Sequence, residues 1–127
     1  MICLDTNIVI ELFKGRPDIV SELQRHPADT LCISAIVAAE LYQGAFDKAE
    51  LKAIKGGIAR FTLLPLQPAI GERMLELMQQ HVLSHRMKMP DALIAATALH
   101  HDLPLYTLNL KDFRYIPGLR LHPPATA

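Results

Sequence analysis

The stretch Met1-Ile-Cys-Leu-Asp-Thr-Asn7 decides how the rest of the chain is interpreted. Its first four residues form an apolar run, which is typical of a strand buried in a parallel sheet. The run ends at Asp5, and a new apolar pattern begins at Ile8. We therefore expect a central strand that carries Asp5 at its carboxyl end, directly before a helix. The aspartate is then either the N-cap of that helix or part of an active site, because ligands bind beyond the carboxyl ends of parallel strands.

Length and composition indicate one folded domain. The chain has 127 residues, of which 50% are apolar and 20% are charged, so we expect the chain as a whole to fold rather than to be disordered. We place the domain at residues 1–122 and expect a loose tail over 123–127. Lys plus Arg and Asp plus Glu both number 13. Any contact with nucleic acid therefore needs a local basic patch, a metal or a second subunit, since no overall positive field exists.

The sequence also predicts a cytoplasmic location. Cys3 and Cys32 lie in apolar, strand-like runs, where buried free thiols are expected, and such thiols indicate a reducing compartment. No basic segment precedes the first strand, so we expect no signal peptide. The apolar runs fall well short of the ~20 residues that a membrane span needs.

Strand-like runs alternate with helical patterns along the whole chain. The strand-like runs are residues 1–4, 30–33, 62–64 and 105–107, with 119–121 as a candidate edge strand. The helical patterns cover residues 8–14, 18–26, 35–44, 46–61, 69–85 and 91–101. This order predicts an α/β fold with a central, mostly parallel sheet of four to five short strands and helices on both faces.

Four acidic residues do not fit an ordinary solvated surface. Asp5 directly follows a buried strand, and Glu40 lies inside an otherwise apolar helical segment less than two turns from Ser34, its predicted N-cap. Asp91 begins an apolar helix, and Asp112 follows the fourth strand by five residues. In a parallel sheet the ends of strands and the starts of the next helices share one edge, so these acids are expected to lie close together.

Carboxylates gathered at one edge repel one another unless a cation lies between them. Oxygen ligands suit Mg²⁺ and Mn²⁺, and such a cluster can activate water for phosphodiester hydrolysis. Each acid could instead have a purely structural role. Asp5 and Asp91 could be plain N-caps, Glu40 could pair with an Arg or Lys, and Asp112 could cap a turn.

Two further groups of residues invite a functional interpretation. His81 and His85 are spaced as a helical zinc pair, but no third ligand is evident in the sequence. Arg86 and Lys88 lie just before Asp91, which makes them candidates for contact with the phosphates of a substrate.

The same residues resemble the motifs of a known family. The four segments are Leu4-Asp-Thr-Asn7, Ser34-Ala-Ile-Val-Ala-Ala-Glu-Leu41, Asp91-Ala-Leu-Ile-Ala-Ala-Thr-Ala98 and Thr107-Leu-Asn-Leu-Lys-Asp-Phe113. In this order and spacing they resemble PIN-domain ribonucleases, and most closely the VapC-type toxins of bacterial toxin–antitoxin operons. The resemblance covers nearly the whole chain and therefore implies the PIN-like fold.

The resemblance implies an endoribonuclease that depends on Mg²⁺ or Mn²⁺. Asp5 and Asp91 match the main metal ligands of the family, while Glu40 and Asp112 match acids that hold metal directly or through water. The supporting small polar residues of the family match Thr6, Ser34 and Asn109.

The resemblance also implies partners. Members of the family are usually homodimers, and a cognate antitoxin covers the groove near the acids, sometimes in a larger toxin–antitoxin assembly. In this chain the expected receiving surface comprises Leu41, Tyr42, Phe46, Leu51 and Ile54, which could equally be core or dimer contacts. Two different functions stay open: a partner-binding domain without activity, and a metal-dependent phosphatase. Asn7 counts against the phosphatase, because haloacid-type enzymes have a second aspartate there.

Overall fold

Four short strands form the centre of the fold in the computed structural model, which describes residues 1–125. The strands are β1 (Ile2–Leu4), β2 (Leu31–Ser34), β3 (Thr62–Leu64) and β4 (Leu105–Tyr106). The α-helices among the described residues are α1 (Thr6–Phe13), α2 (Pro17–Gln24), α3 (Ala35–Gln43), α4 (Lys48–Ile58), α5 (Pro68–His85) and α6 (Met89–His100). Two 3₁₀ turns lie at Ala28–Thr30 and Leu110–Asp112.

The sheet has the order β3-β2-β1-β4, and every pair of neighbours is parallel. β1 is central, with Cys3 opposite Cys32 on one side and Leu4 opposite Tyr106 on the other. All residues of β1, β2 and β4 are buried, which explains their continuous apolar sequences. The predicted α/β fold with a parallel sheet is confirmed.

The strand order creates a reversal point beside β1. The chain moves from β1 outward to β2 and β3, and then returns to place β4 on the other side of β1. Right-handed crossovers therefore put α1 to α4 on one face of the sheet, and α5 with α6 on the other. Ligands of open parallel sheets bind where the strand order reverses, which is the edge formed by the carboxyl ends of β1 and β4.

The core extends from the sheet into α6, which packs along α5. Its alanines at positions 92, 95, 96 and 98 are all buried, and these small side chains let the helix approach its neighbours closely. Cys3 and Cys32 are free, buried thiols, as predicted.

Several predicted helix boundaries were wrong, and at the starts of α1 and α4 a capping side chain outside the apolar pattern sets the boundary. α1 begins at Thr6 rather than Ile8, since Asp5 caps it. α4 begins after Asp47, whose carboxylate accepts a hydrogen bond from the Glu50 amide at 2.8 Å, and it ends at Ile58. Phe46, the predicted start of that helix, is 88% exposed.

The C-terminal segment adds one bridge to the sheet. Residues 119–121 do not form a full strand, but Leu121 pairs with Leu105 in a single parallel bridge. Residues 126 and 127 of the predicted tail lie outside the described residues, while Ala125 is half-buried and packs against the core. Within residues 1–125, no helix combines the length and the apolar character needed to cross a membrane.

Gly57 marks a close approach between α4 and α1. A Cβ atom at Gly57 would lie 2.5 Å from Cζ of Phe13, whereas a Cβ at Gly56 would meet no atom within 4 Å. We expect Gly56→Ala to stabilise the protein by about 0.5–1 kcal/mol, the helix-propensity gain over glycine. Gly57→Ala should be less stable than Gly56→Ala by about 1 kcal/mol or more, because the Phe13 ring must move. Urea unfolding of both variants measures this difference, and equal stabilisation would show that α1 and α4 do not pack this closely.

Candidate active site

Asp5 joins β1 to α1 and is held by both. Its backbone N–H donates to the Tyr106 carbonyl at 2.9 Å, which fixes β1 against β4. Oδ1 of the side chain accepts a hydrogen bond from the Thr6 amide at 2.8 Å, so the predicted N-cap is confirmed. Oδ2 accepts from the hydroxyl of Thr107 at 2.6 Å. The residue is only 5% exposed, and its two hydrogen bonds fix the rotamer of the carboxylate.

Thr107 is a functional candidate that the sequence patterns did not single out, although it begins the fourth quoted motif. It is buried at the end of β4, where its hydroxyl donates to Asp5 and accepts from the Asn109 amide at 3.0 Å. The sequence feature that could have indicated Thr107 is its place directly after the apolar strand β4, just as Asp5 directly follows β1. Only the pairing of β1 with β4 shows that the two side chains meet.

Glu40 reaches the same edge of the sheet from α3. It is the sixth residue of that helix and is half-buried. Its Oε1 accepts a hydrogen bond from the Thr6 hydroxyl at 2.8 Å. Thr6 therefore links the two acids, since its amide binds Asp5 while its side chain binds Glu40. The partner of Glu40 is therefore a threonine hydroxyl, and not the Arg or Lys that the structural alternative predicted.

Asp91 and Asp112 complete the group of acids. Asp91 is the third residue of α6 and does not cap it, because the N-cap position is Lys88. Burial is the main cause that raises the pKa of Asp91 to about 6, and the charges of the other three acids add to the shift. Asp112 is half-buried at the end of its 3₁₀ turn. The other three carboxylates are thus close enough to influence the ionisation of Asp91.

Asp5 has a raised pKa for the same reasons. Burial is the largest cause, and the charges of Glu40 and Asp112 act in the same direction. The hydrogen bonds from Thr107 and Thr6 lower the pKa and offset part of the increase. The site therefore holds a negative charge that the protein itself compensates only in part.

The predicted supporting residues differ in their contact with the acids. Ser34 is buried and caps α3, with its hydroxyl accepting from the Val37 amide at 3.3 Å. Asn109 is exposed and contributes its backbone N–H to Thr107 rather than a side-chain contact. Thr6 alone of the three binds two of the acids directly.

The two candidate phosphate ligands flank the start of α6. Lys88 is exposed and near enough to Asp91 to oppose the rise of its pKa. Arg86 is exposed and ends α5 in a left-handed conformation with φ 53°. The structure therefore brings a positive charge to the acids at Lys88.

An aromatic pair lies beside the acids, and sequence patterns did not reveal it. Burial raises the pKa of Tyr115, and the charges of Asp91 and Asp112 raise it further. The Tyr115 ring stacks on His85 with centroids 3.8 Å apart, and the ring of His81 meets it edge-on at 5.0 Å. The histidines that resemble a zinc pair thus pack around a tyrosine. Tyr115 follows no regular pattern in the sequence, so no signal placed it at the site.

The chemistry of the donors fits a hard divalent cation. Carboxylate oxygens are the ligands that Mg²⁺ and Mn²⁺ prefer, and Mg²⁺ usually keeps several waters while binding one or two carboxylates directly. Among residues 1–125, ligand atoms from three residues come within 4.8 Å of one another only at Glu22, His26 and His122. The four acids are therefore more widely spaced, which suits a hydrated ion.

A large groove begins at Glu40 and runs between the first four helices. It has a volume of about 1260 Å³ and an apolar lining that includes Ile10 and Phe13 from α1, and Leu41 and Ile54 from α3 and α4. Leu41 and Ile54 belong to the predicted receiving surface. Tyr42, Phe46 and Leu51, its other members, are exposed but do not line the groove. The contribution of α1 was not predicted.

Comparisons with known proteins agree with this fold. The PIN-domain profile matches residues 2–119. The chain is 36% identical to ribonuclease VapC2 of Haemophilus influenzae, with 92% of each chain covered. It is 32% identical to a tRNA(fMet)-specific endonuclease VapC of Salmonella typhimurium, with 93% of each covered. A toxin–antitoxin complex from Klebsiella pneumoniae contains a chain of similar structure, with a TM-score of 0.79, 35% identity, and coverage of 94% and 95%. The chain therefore belongs to the PIN-domain family, among the VapC ribonucleases.

Proposed function

We propose that the chain is a Mg²⁺- or Mn²⁺-dependent endoribonuclease that acts as the toxin of a toxin–antitoxin pair. The observation that carries the proposal is the convergence of four carboxylates from separate segments at the reversal point of the sheet. Their charges raise the pKa of Asp5 and Asp91. Such repulsion is costly in a fold unless the cluster serves to bind a cation.

Asp5 and Asp91 are the proposed direct ligands, because they are the acids whose ionised forms are most penalised in the folded chain. Glu40 and Asp112 would complete the site through water. A bound divalent ion would stabilise the charge that builds on the phosphate and lower the pKa of a water. The carboxylates of Glu40 and Asp112 can accept hydrogen bonds from that water and so orient it.

The surroundings of the acids suit an RNA strand. Lys88 offers a positive charge to a phosphate beside Asp91, and Arg86 is the next candidate along the chain. The exposed His85 ring and the Tyr115 ring behind it form a stacked aromatic pair near the same acids. Bases stack on such rings in single-stranded RNA, so this pair is our candidate for contact with a nucleotide.

The groove lined by Phe13, Leu41 and Ile54 is the proposed antitoxin site. It is apolar and leads to Glu40, so a segment bound in it would lie next to the acids. Recognition of an amphipathic helix by an apolar groove would fit this shape. Assembly as a homodimer, which the family resemblance implies, and a cytoplasmic location, which the buried free thiols indicate, belong to the same proposal.

Growth of bacteria that express the chain alone tests the proposal. We expect wild type to slow growth and Asp5→Asn not to do so at an equal level of folded protein. Asn retains the cap of α1, since Asn is as good an N-cap as Asp. RNA from arrested cells should carry new 5′ ends, and tRNA(fMet) is the first substrate to examine because two relatives are named for it.

Asp47→Asn provides the matched control. It makes the same chemical change at an exposed N-cap, that of α4, and should slow growth like wild type. Normal growth with abundant folded wild type would contradict the proposal and favour a partner-binding domain without activity.

A further inference from the structure

A second group of metal-ligating side chains lies apart from the four acids. Glu22 is on α2, His26 follows that helix, and His122 is on the C-terminal segment. Nε2 of His122 lies 2.8 Å from Oε1 of Glu22, and Nε2 of His26 lies 3.5 Å from the same oxygen. One ligand atom from each residue lies within 4.8 Å of the others. Two imidazoles thus converge on one carboxylate oxygen.

The surroundings hold this arrangement in place. The Arg25 guanidinium binds the other oxygen of Glu22, Oε2, at 3.1 Å, and so turns Oε1 toward the histidines. The backbone N–H of His122 donates to the Leu105 carbonyl at 2.8 Å, which ties its segment to β4. The His122 ring also packs against Tyr106, with centroids 4.7 Å apart. Partners of this kind orient the ligands of natural metal sites.

The distances suit a small ion bound by nitrogen. With Zn–N and Zn–O bonds near 2.0–2.1 Å, tetrahedral ligands lie about 3.3 Å apart. The Glu22 oxygen lies 2.8 Å from His122 Nε2 and 3.5 Å from His26 Nε2, on either side of that value, and one ligand atom from each of the three residues lies within 4.8 Å of the others. The side chains of His122, Glu22 and His26 are 14%, 12% and 28% exposed. The ligands are therefore shielded from bulk water yet accessible to an ion.

We propose that Glu22, His26 and His122 form a second metal site, which binds Zn²⁺ or a related late first-row dication. Two imidazoles and one carboxylate are a ligand set of this class of ion, whereas Mg²⁺ and Mn²⁺ prefer oxygen alone. The ion joins α2 to the C-terminal segment, so its role is structural. Without metal the same contacts are hydrogen bonds, in which imidazole N–H groups donate to Glu22.

Zinc titration of the full chain tests the site. We expect one Zn²⁺ per chain by isothermal titration calorimetry, and this binding should persist in the double variant Asp5→Asn/Asp91→Asn. Both His122→Ala and His26→Ala should weaken it at least tenfold in that background. Two variants are needed because either change could disturb folding, and circular dichroism identifies the one that stays folded. His100→Ala is the matched control, since His100 is exposed and contacts Gln67 instead.

Co²⁺ provides a second readout that does not depend on a variant. When Co²⁺ replaces Zn²⁺, we expect the intense visible absorption of a four- or five-coordinate ion, and excess Zn²⁺ should abolish it. Absence of zinc binding, equal affinity in a folded histidine variant, or loss of binding in the double acid variant would overturn the proposal. None of these outcomes bears on whether the four acids support RNA cleavage.

Discussion

Asp91→Asn should abolish RNA cleavage and, at the same time, make the metal-free protein more stable. The first effect follows from the proposed role of Asp91 as a metal ligand. Metal ions contribute several kcal/mol to catalysis of this kind, so we expect a loss of about a thousandfold or more. The second effect follows from the pKa of this carboxyl, which is raised from 3.8 to about 6 in the folded protein.

The sign of the stability effect depends on pH. A carboxyl whose pKa is raised by folding binds more protons in the native state than in the unfolded state between pH 3.8 and about 6. The contribution of this carboxyl to the free energy of unfolding therefore falls as pH rises through this window and is constant above it. Asp91 is half-buried, so part of the effect is screened, and we expect a cost on the order of 2 kcal/mol at pH 7. Asn carries no charge and avoids this cost.

Urea unfolding in EDTA from pH 3.5 to pH 8 measures the difference. The curves of wild type and Asp91→Asn should converge at the acidic end and separate as pH approaches about 6. Added Mg²⁺ or Mn²⁺ should raise the melting temperature of wild type by mass action and leave that of the variant unchanged. Asp29→Asn, a change at an exposed acid, should behave as wild type in both experiments. A variant that is less stable than wild type at pH 7, or that responds equally to metal, would remove Asp91 from the site.

The central strand and its acid could be predicted from the sequence because they depend on local properties. A short, continuous apolar run that ends in Asp5 is typical of a buried strand. The cap of α1 involves only Asp5 and the amide of the next residue, Thr6. The same reasoning placed Glu40, since a carboxylate within an apolar helical segment needs a polar partner. Thr6 provides that partner, and it is adjacent to Asp5 in the chain.

Contacts between distant segments could not be predicted in this way. Thr107 meets Asp5 across 102 residues because Leu4 and Tyr106 share a register, and no local pattern states that register. His122 meets Glu22 across 100 residues for a similar reason, since a single bridge places the C-terminal segment beside β4. For Asp91, in contrast, a local pattern suggested a structural role that the residue does not have. As a residue after a proline it resembled a cap, but the helix begins two residues earlier.

Thr107→Val should impair the site through Asp5 rather than by contact with substrate. Valine has nearly the same shape but no hydroxyl, so Oδ2 of the buried carboxylate loses its donor at 2.6 Å. An unsatisfied buried group of this kind costs about 1–3 kcal/mol of stability. Loss of a partner that orients a metal ligand typically costs 10–100-fold in metal affinity or activity. We expect losses of this size in both Mn²⁺ affinity and RNA cleavage.

The pH profile separates this positioning role from a general loss of stability. The Thr107 hydrogen bond lowers the pKa of Asp5, so its removal must raise that pKa further above its ordinary value. The acidic limb of the cleavage profile, which reports ionisation of the acids, should therefore move to higher pH in Thr107→Val. Thr107→Ser restores the hydroxyl and should restore the wild-type limb even if the lost methyl group lowers stability. If cleavage instead fell by the same factor at every pH, the Thr107 hydroxyl would contribute only to stability. Its hydrogen bond would then not control the pKa of Asp5.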